Sequence, residues 1–378
     1  MERIIDSSYV YFKPKEDYFT KDYFKNINIL QNIIDKNNNE FNDDFELIEY
    51  INSGSCGVVY QAEHKKTKQK VGIKFIFSKI LEKKREQQKI NRMLLNKEVR
   101  IQRELKHQNI TELLNVRCIS DQIPCLVMEY AAYRDLFYFQ NNLIKKKSSS
   151  ETAICYFAKQ ILDAINYCHK NKLIHMDIKP QNILIDENIN LKLADFSVSL
   201  SYANNKDKIR LPLAGTSLYM SPEVLRKEEI DVKNAEKIDL YSLGGLLYNF
   251  AFTEYPYGLK FADKKEFNTL KNKIEKNALI LPKSERFSPL FRNFLSNLLA
   301  KDINKRYNLA EAFSDPWIKG AELIFEEKEK IVDLEKFIIS LYTDNILSFN
   351  DYLKQNSNDS TNSNIQSTSR STYNEEST

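Results

Sequence analysis

Several segments of this 378-residue chain carry residue types whose spacing could handle phosphate. Gly54-Ser55-Cys56-Gly57-Val58-Val59 lies between two strand-like stretches, and its glycines let a hairpin fold tightly enough for backbone N–H groups to approach phosphate oxygens. By itself such a hairpin is more often just a turn. Val71-Gly72-Ile73-Lys74 sets a lysine among apolar neighbours, which suits either an amine that snorkels to water or a cation held for an anion. The second use needs an acidic partner, and Glu98 stands on the following helical stretch. The densest constellation is Leu173-Ile174-His175-Met176-Asp177-Ile178-Lys179-Pro180-Gln181-Asn182-Ile183-Leu184, followed by Leu191-Lys192-Leu193-Ala194-Asp195-Phe196-Ser197.

The elements that must position these residues are legible from periodicity. From Phe45 to Ile76, short apolar runs separated by the glycine loop and a lysine-rich turn predict three antiparallel strands. EVRIQRELKHQNI, from Glu98 to Ile110, predicts a helix, and CLVMEYAA a buried strand that emerges into a linker. Beyond it, ETAICYFAKQILDAINYCHKN and KIDLYSLGGLLYNFAF repeat apolar residues at helical spacing. A small strand-rich lobe thus precedes a larger helical one.

Taken in order, these motifs resemble the protein kinase superfamily, serine/threonine branch. The order is glycine loop, strand lysine, helix glutamate, catalytic loop, metal-binding Asp-Phe, then Gly215-Thr216-Ser217-Leu218-Tyr219-Met220-Ser221-Pro222-Glu223. Asp239-Leu240-Tyr241-Ser242-Leu243-Gly244 is similar to the family's central large-lobe helix, and Arg306 to the arginine that pairs with Glu223. The resemblance implies an α+β bilobal kinase fold, with a small antiparallel β-sheet N-lobe carrying one main helix and a larger, mostly helical C-lobe. The expected layout is an N-terminal extension at 1–44, a kinase domain at 45–319 (N-lobe 45–130, C-lobe 131–319), a helical extension at 320–355, and a Ser/Thr/Asn-rich disordered tail at 356–378.

The resemblance also implies roles. Transfer of the γ-phosphate of Mg-ATP to protein serine and threonine hydroxyls needs positioning and charge neutralisation above all. Lys74, oriented by Glu98, is expected to hold the ATP phosphates, and Asn182 with Asp195 to hold Mg²⁺ through hard oxygens. Asp177 is expected to accept the substrate's proton and Lys179 to neutralise the transferring phosphate. Ile51, Gly54 and Gly57 would cover the nucleotide, Val59 and Leu184 sandwich adenine, and Glu129 to Ala131 offer hinge backbone. Met128 would guard the back of the pocket, and Asp135 would meet a ribose hydroxyl. Asp-x-Lys-Pro-x-Asn and Thr216 resemble the serine/threonine branch.

The departures from the family pattern carry content of their own. Asn52 replaces the first loop glycine, Cys56 the aromatic loop tip, Gly72 an alanine and Ser197 the glycine after Asp-Phe. Gln102 stands where an apolar side chain normally stacks on Phe196, so a weakened closed state is expected. Met176 occupies the place of an arginine that would receive an activation-loop phosphate, and residues 203–215, ANNKDKIRLPLAG, contain no hydroxyl residue. Control without primary activation-loop phosphorylation is the expectation. His-Met-Asp is similar to the Wee-type catalytic loop, but Asp195-Phe196 is not, and no subfamily is assigned.

Bulk properties narrow the alternatives. A net charge of +4 is too weak to argue for nucleic acid without a concentrated basic face. The five cysteines lack short paired spacings, against a disulfide framework or zinc site and in favour of a cytoplasmic or nuclear protein. No signal-peptide-like start or membrane-length apolar run is present, so no membrane partner is expected. Partners are a protein substrate and, through either extension, a regulatory protein. The rival reading, a pseudokinase that binds ATP or scaffolds, would be favoured by loss of Lys74, Glu98, Asp177, Asn182 or Asp195; none is lost.

Overall fold

A computed structural model of the chain describes residues 26–37, 39–53, 57–76, 97–119, 123–145, 151–260, 267–283 and 287–320. The glycine-loop tip at 54–56, most of the charged run from Lys79 to Lys97, the expected helical extension beyond Gly320 and the tail lie outside the described residues.

Five strands form the small lobe: β1 (Phe45–Ser53), β2 (Gly57–His64), β3 (Lys70–Ile76), β4 (Leu113–Ile119) and β5 (Ile123–Glu129). Their order is β1-β2-β3-β5-β4, antiparallel throughout. Side chains alternate across a strand, so Ile73 and Phe75 of β3 face one side and Lys74 the other. Helices α1 (Ile27–Asn37) and α2 (Asn39–Asp44) cover the face away from Lys74. Leu30, Ile34 and Phe41 join Tyr60, Ile73 and Phe75 in one buried cluster, with the Phe41 ring centred 5.9 Å from that of Phe75. Part of the segment assigned to an extension by sequence therefore supplies small-lobe core.

On the Lys74 side, helix α3 occupies residues 97–104, and its Val99 packs against Ile76, Leu113, Val116 and Leu126. The expected helix through Ile110 stops early because the following backbone is used elsewhere. The Lys106 N–H donates to Tyr167 Oη, the Asn109 N–H to His107 Nδ1, and Ile110 bridges Leu193.

The large lobe contains α4 (Leu136–Lys145), α5 (Glu151–Lys170), α6 (Pro222–Arg226), α7 (Glu236–Phe252), α8 (Phe267–Lys276), α9 (Pro289–Leu298) and α10 (Leu309–Ser314). Helix α7 is apolar all round and buried along nearly its whole length, as a central helix must be. Ser288 caps α9 by accepting from the Phe291 N–H, and Asn308 with Glu311 forms a capping box on α10.

Short strand pairs shape the cleft side of this lobe. β7 (Ile183–Ile185) pairs with β8 (Leu191–Leu193), and β6 (Leu173–Ile174) with β9 (Leu200–Ser201). β10 (Lys208–Arg210) pairs with β11 (Glu229–Asp231), and bonds from Val232 N–H to Asp207 O and from Leu211 N–H to Glu228 O extend that ladder at both ends.

Candidate active site

Residues far apart in sequence converge between the lobes. Lys74 Nζ lies 3.1 Å from Glu98 Oε1 and 3.2 Å from Asp195 Oδ1, so β3, α3 and the turn after β8 meet at one ammonium. Glu98 is buried, and its Oε2 has no partner among the described residues. Burial opposes ionisation of Asp195, but the Lys74 ammonium and hydrogen bonds from Ser197 and Lys74 outweigh it and hold the carboxyl at about 2. Asp195 takes a positive φ of 65°.

The loop between β6 and β7 builds the other half of the site. Lys179 Nζ donates to Asp177 Oδ2 at 2.6 Å and to Thr216 Oγ1 at 2.8 Å. Asn182 Nδ2 donates to the Asp177 carbonyl at 2.8 Å and to its Oδ2 at 2.9 Å, which leaves the amide oxygen of Asn182 as the atom to offer a cation. Asp177 Oδ1 is buried and has no partner among the described residues. A carboxylate held at one oxygen and unpaired at the other has a lone pair left to accept a proton from a substrate hydroxyl.

Asp239, in the first turn of α7, holds this loop in shape. Its carboxylate accepts from the His175 N–H at 2.9 Å, the Met176 N–H at 3.0 Å and His169 Nε2 at 2.8 Å. These bonds fasten Met176 at a φ of 71° directly before Asp177. Met176 is buried. Behind the site, Phe196 is buried and its ring meets that of His175 edge-on at 4.8 Å.

Other sequence-predicted residues fall around this centre. Val59 stands opposite Lys74 in the β2–β3 ladder, Ile51 lies near the end of β1, and Gly57 begins β2. A Cβ on Gly57 would sit 1.9 Å from the Phe75 carbonyl oxygen, so this close strand approach requires glycine. Gly54 lies outside the described residues. A Cβ on Gly72 would meet only the Glu129 carbonyl oxygen, at 3.7 Å. Leu184 bridges Asp135 across the floor of the cleft, and Ala131 follows β5 in the linker. Asp135 accepts the Tyr138 N–H at the start of α4, and burial raises its pKa against the effect of that bond.

Two arrangements differ from the sequence reading or were missed by it. Gln102 is buried, and its amide is not idle: its Nε2 points to the Thr111 carbonyl at 3.4 Å and to Met128 Sδ at 3.9 Å. The Glu129 side chain is clamped by Lys192 Nζ at 2.9 Å and the Glu112 N–H at 2.7 Å, leaving the linker's backbone as what it can offer a nucleotide. The anchoring by Asp239 and the Lys192–Glu129 pair carry no signal in local sequence; each depends on segments brought together by folding.

The donor set suits Mg²⁺ and a polyphosphate. It offers two hard-oxygen side chains in Asn182 and Asp195, two cations in Lys74 and Lys179, and carboxylate oxygens of Glu98 and Asp177 left unpaired among the described residues. Among the described residues no helix is long and apolar enough to cross a membrane.

Comparison with known proteins agrees with this geometry. The profile of the protein kinase domain matches residues 45–318. The chain is 33% identical over 277 residues to an Aurora kinase of Dictyostelium discoideum, covering 73% of this chain and 66% of that one. It is 32% identical over 282 residues to the serine/threonine-protein kinase ULK3 of Homo sapiens, covering 73% and 55%. It is 32% identical over 289 residues to the serine/threonine-protein kinase TIO of Arabidopsis thaliana, covering 76% and 20%. The match thus spans less than two thirds of each of these relatives' own length.

Proposed function

The chain belongs to the protein kinase superfamily, serine/threonine branch, and from that premise we propose that it transfers the γ-phosphate of ATP to serine and threonine hydroxyls of proteins. The observation that carries this reading is the joint placement of Lys74, Glu98 and Asp195 on one side of the cleft and Asp177, Lys179 and Asn182 on the other.

Each residue has a task in that reaction. Lys74, steered by Glu98, binds the nucleotide phosphates. Asn182 and Asp195 hold Mg²⁺, which neutralises charge on the phosphates when bound. Asp177 orients the substrate hydroxyl and takes its proton as the new O–P bond forms and the bond to the ADP oxygen breaks. Lys179, held by Thr216, faces the charge on the group in transit. The Lys74 carboxylate partners make the site dependent on α3 staying close to β3.

We further infer that this activity does not require a phosphate on the activation segment. In place of an arginine, Met176 is buried beside Asp177, and residues 207–211 are tied to 228–232 by a main-chain ladder that needs no modification. The test is ATP turnover on casein by recombinant protein whose residues 195–223 are shown by mass spectrometry to be unphosphorylated, with Asp195→Ala as the control. Full turnover by the unmodified protein and none by the variant is expected. Activity strictly dependent on phosphate in that segment removes the second inference, and equal turnover by both proteins removes the first.

A further inference from the structure

Lys97 and Glu98 are consecutive on α3, yet they reach different parts of the molecule. Glu98 turns to Lys74, while Lys97 Nζ donates to the main-chain carbonyl of Ser199 at 2.7 Å. A surface lysine loses rotamer freedom and hydration when it is held in this way, and ordinarily it would extend to water. Lys97 is half-buried, and burial pushes its pKa down. Its partner among the described residues is a neutral carbonyl, with no carboxylate to repay the desolvation.

The acceptor is itself rigid. Ser199 is fully buried, its N–H donates to the Phe196 carbonyl at 3.2 Å, and its hydroxyl donates to the His175 carbonyl at 3.3 Å. One ammonium therefore ties α3 to the turn that carries Asp195 and to the loop that carries Asp177. Adjacent residues of a helix move as one body, so pinning Lys97 limits the rotation and outward shift that would carry Glu98 away from Lys74.

We propose that Lys97 is a positioning residue for phosphoryl transfer: by holding the Ser199 carbonyl it keeps α3 where Glu98 can engage Lys74. The inference rests on the kinase reading and deepens it. It assigns to a lysine of the chain the link between helix and activation segment that an added phosphate would otherwise have to make.

The test compares the full-length protein with Lys97→Met, which keeps the aliphatic length and removes the charge, and Lys97→Arg, which restores a donor. With casein as substrate, Lys97→Met is expected to lower kcat/KM for ATP about tenfold, the shift that loss of one charge-assisted bond gives. KM for casein and the thermal midpoint stay near wild type, and Lys97→Arg recovers most of the loss. Hydrogen exchange provides a reading independent of activity: amides of residues 97–104 and 195–201 exchange faster in Lys97→Met. Wild-type kinetics in Lys97→Met overturn the proposal, as does a lowered thermal midpoint large enough to account for the lost rate. Unchanged exchange in both segments overturns it even if the wild-type protein does not phosphorylate casein, an outcome that would separately remove the kinase reading.

Discussion

Arg306 and Glu223 form a fork-to-fork pair sealed inside the large lobe, with Nη1 3.1 Å from Oε2 and Nη2 3.0 Å from Oε1. Both side chains are essentially without solvent exposure. Arg306 spends its remaining donors on the carbonyls of Ala300, Lys237 and Lys301, and its guanidinium lies 4.8 Å from the centre of the Tyr241 ring. Glu223 opens α6 directly after the segment that supplies Thr216 to Lys179, so the pair fixes one wall of the site. Removing one partner strands a buried charge. Glu223→Ala is expected to cost about 3–5 kcal/mol in urea unfolding. Arg306→Lys keeps the charge but loses the fork, and a smaller loss is expected for it.

The small lobe's outer face predicts a stability effect far from the chemistry. Phe41 is buried between Phe45 and Phe75, with ring centroids 5.5 and 5.9 Å away. Phe75 follows Lys74 directly on β3. Phe41→Ala is expected to destabilise the protein by about 3–5 kcal/mol, since truncating a buried aromatic removes apolar burial and leaves a cavity. Calorimetry should show the loss in the main unfolding transition. A wild-type midpoint would mean that α2 contributes nothing to the folded lobe.

What the sequence discloses and what it conceals divide along a physical line. Lys74, Asp177, Asn182 and Asp195 are legible because their chemistry demands particular side chains at fixed offsets within short segments. The long apolar periodicities of α5 and α7 are legible for a similar local reason. Lys97, Lys192 and Asp239 act through partners 102, 63 and 64 residues away, and no local pattern marks those pairings. The early end of α3 escapes helical periodicity because the competing bonds to Tyr167 and Leu193 come from the other lobe. The β10–β11 ladder is hidden too, since three-residue strands in a polar loop have too few positions to display alternation.

His175 gives the site a calculable response to acid. It is fully buried; its Nε2 meets the Ala194 carbonyl at 3.1 Å, and its Nδ1 accepts the Asp177 N–H at 3.3 Å. The ring is therefore neutral, with its proton on Nε2, and protonating Nδ1 would break the bond to the Asp177 backbone. Burial lowers its pKa, and the carboxylates of Asp239, Asp177 and Asp195 with the Ala194 carbonyl only partly offset this. A histidine that titrates lower when folded is protonated first in the unfolded chain. Its contribution is complete above the unfolded value of about 6.5 and is lost as the pH falls below it. Unfolding free energy measured from pH 7.5 to 5 should thus decline below about 6.5, by up to about 1.4 kcal/mol per pH unit for one proton. In His175→Phe the same span should be flatter. An equal slope in both proteins would assign the acid sensitivity to other groups.

Gly215 sets a limit on how the activation segment can meet the catalytic loop. Its φ is 101°, a conformation open to glycine and strained for any other residue. An added Cβ would lie 2.2 Å from the Met176 carbonyl oxygen and 3.5 Å from Asp177 Oδ1. The obstacle is backbone, so it cannot turn aside as a flexible side chain would. Met176 cannot retreat easily either, because its N–H is bound to the buried Asp239 carboxylate. Gly215→Ala must therefore displace either the loop that carries Asp177 or Thr216, the partner of Lys179. A displacement of about 1 Å at the reacting groups is enough to cost on the order of 100-fold in rate. The expected outcome is a kcat reduced by about that factor, with the global fold retained by circular dichroism and ATP binding still measurable by calorimetry. A Gly215→Ala protein with wild-type kcat would show that the contact between these segments is looser than the geometry requires.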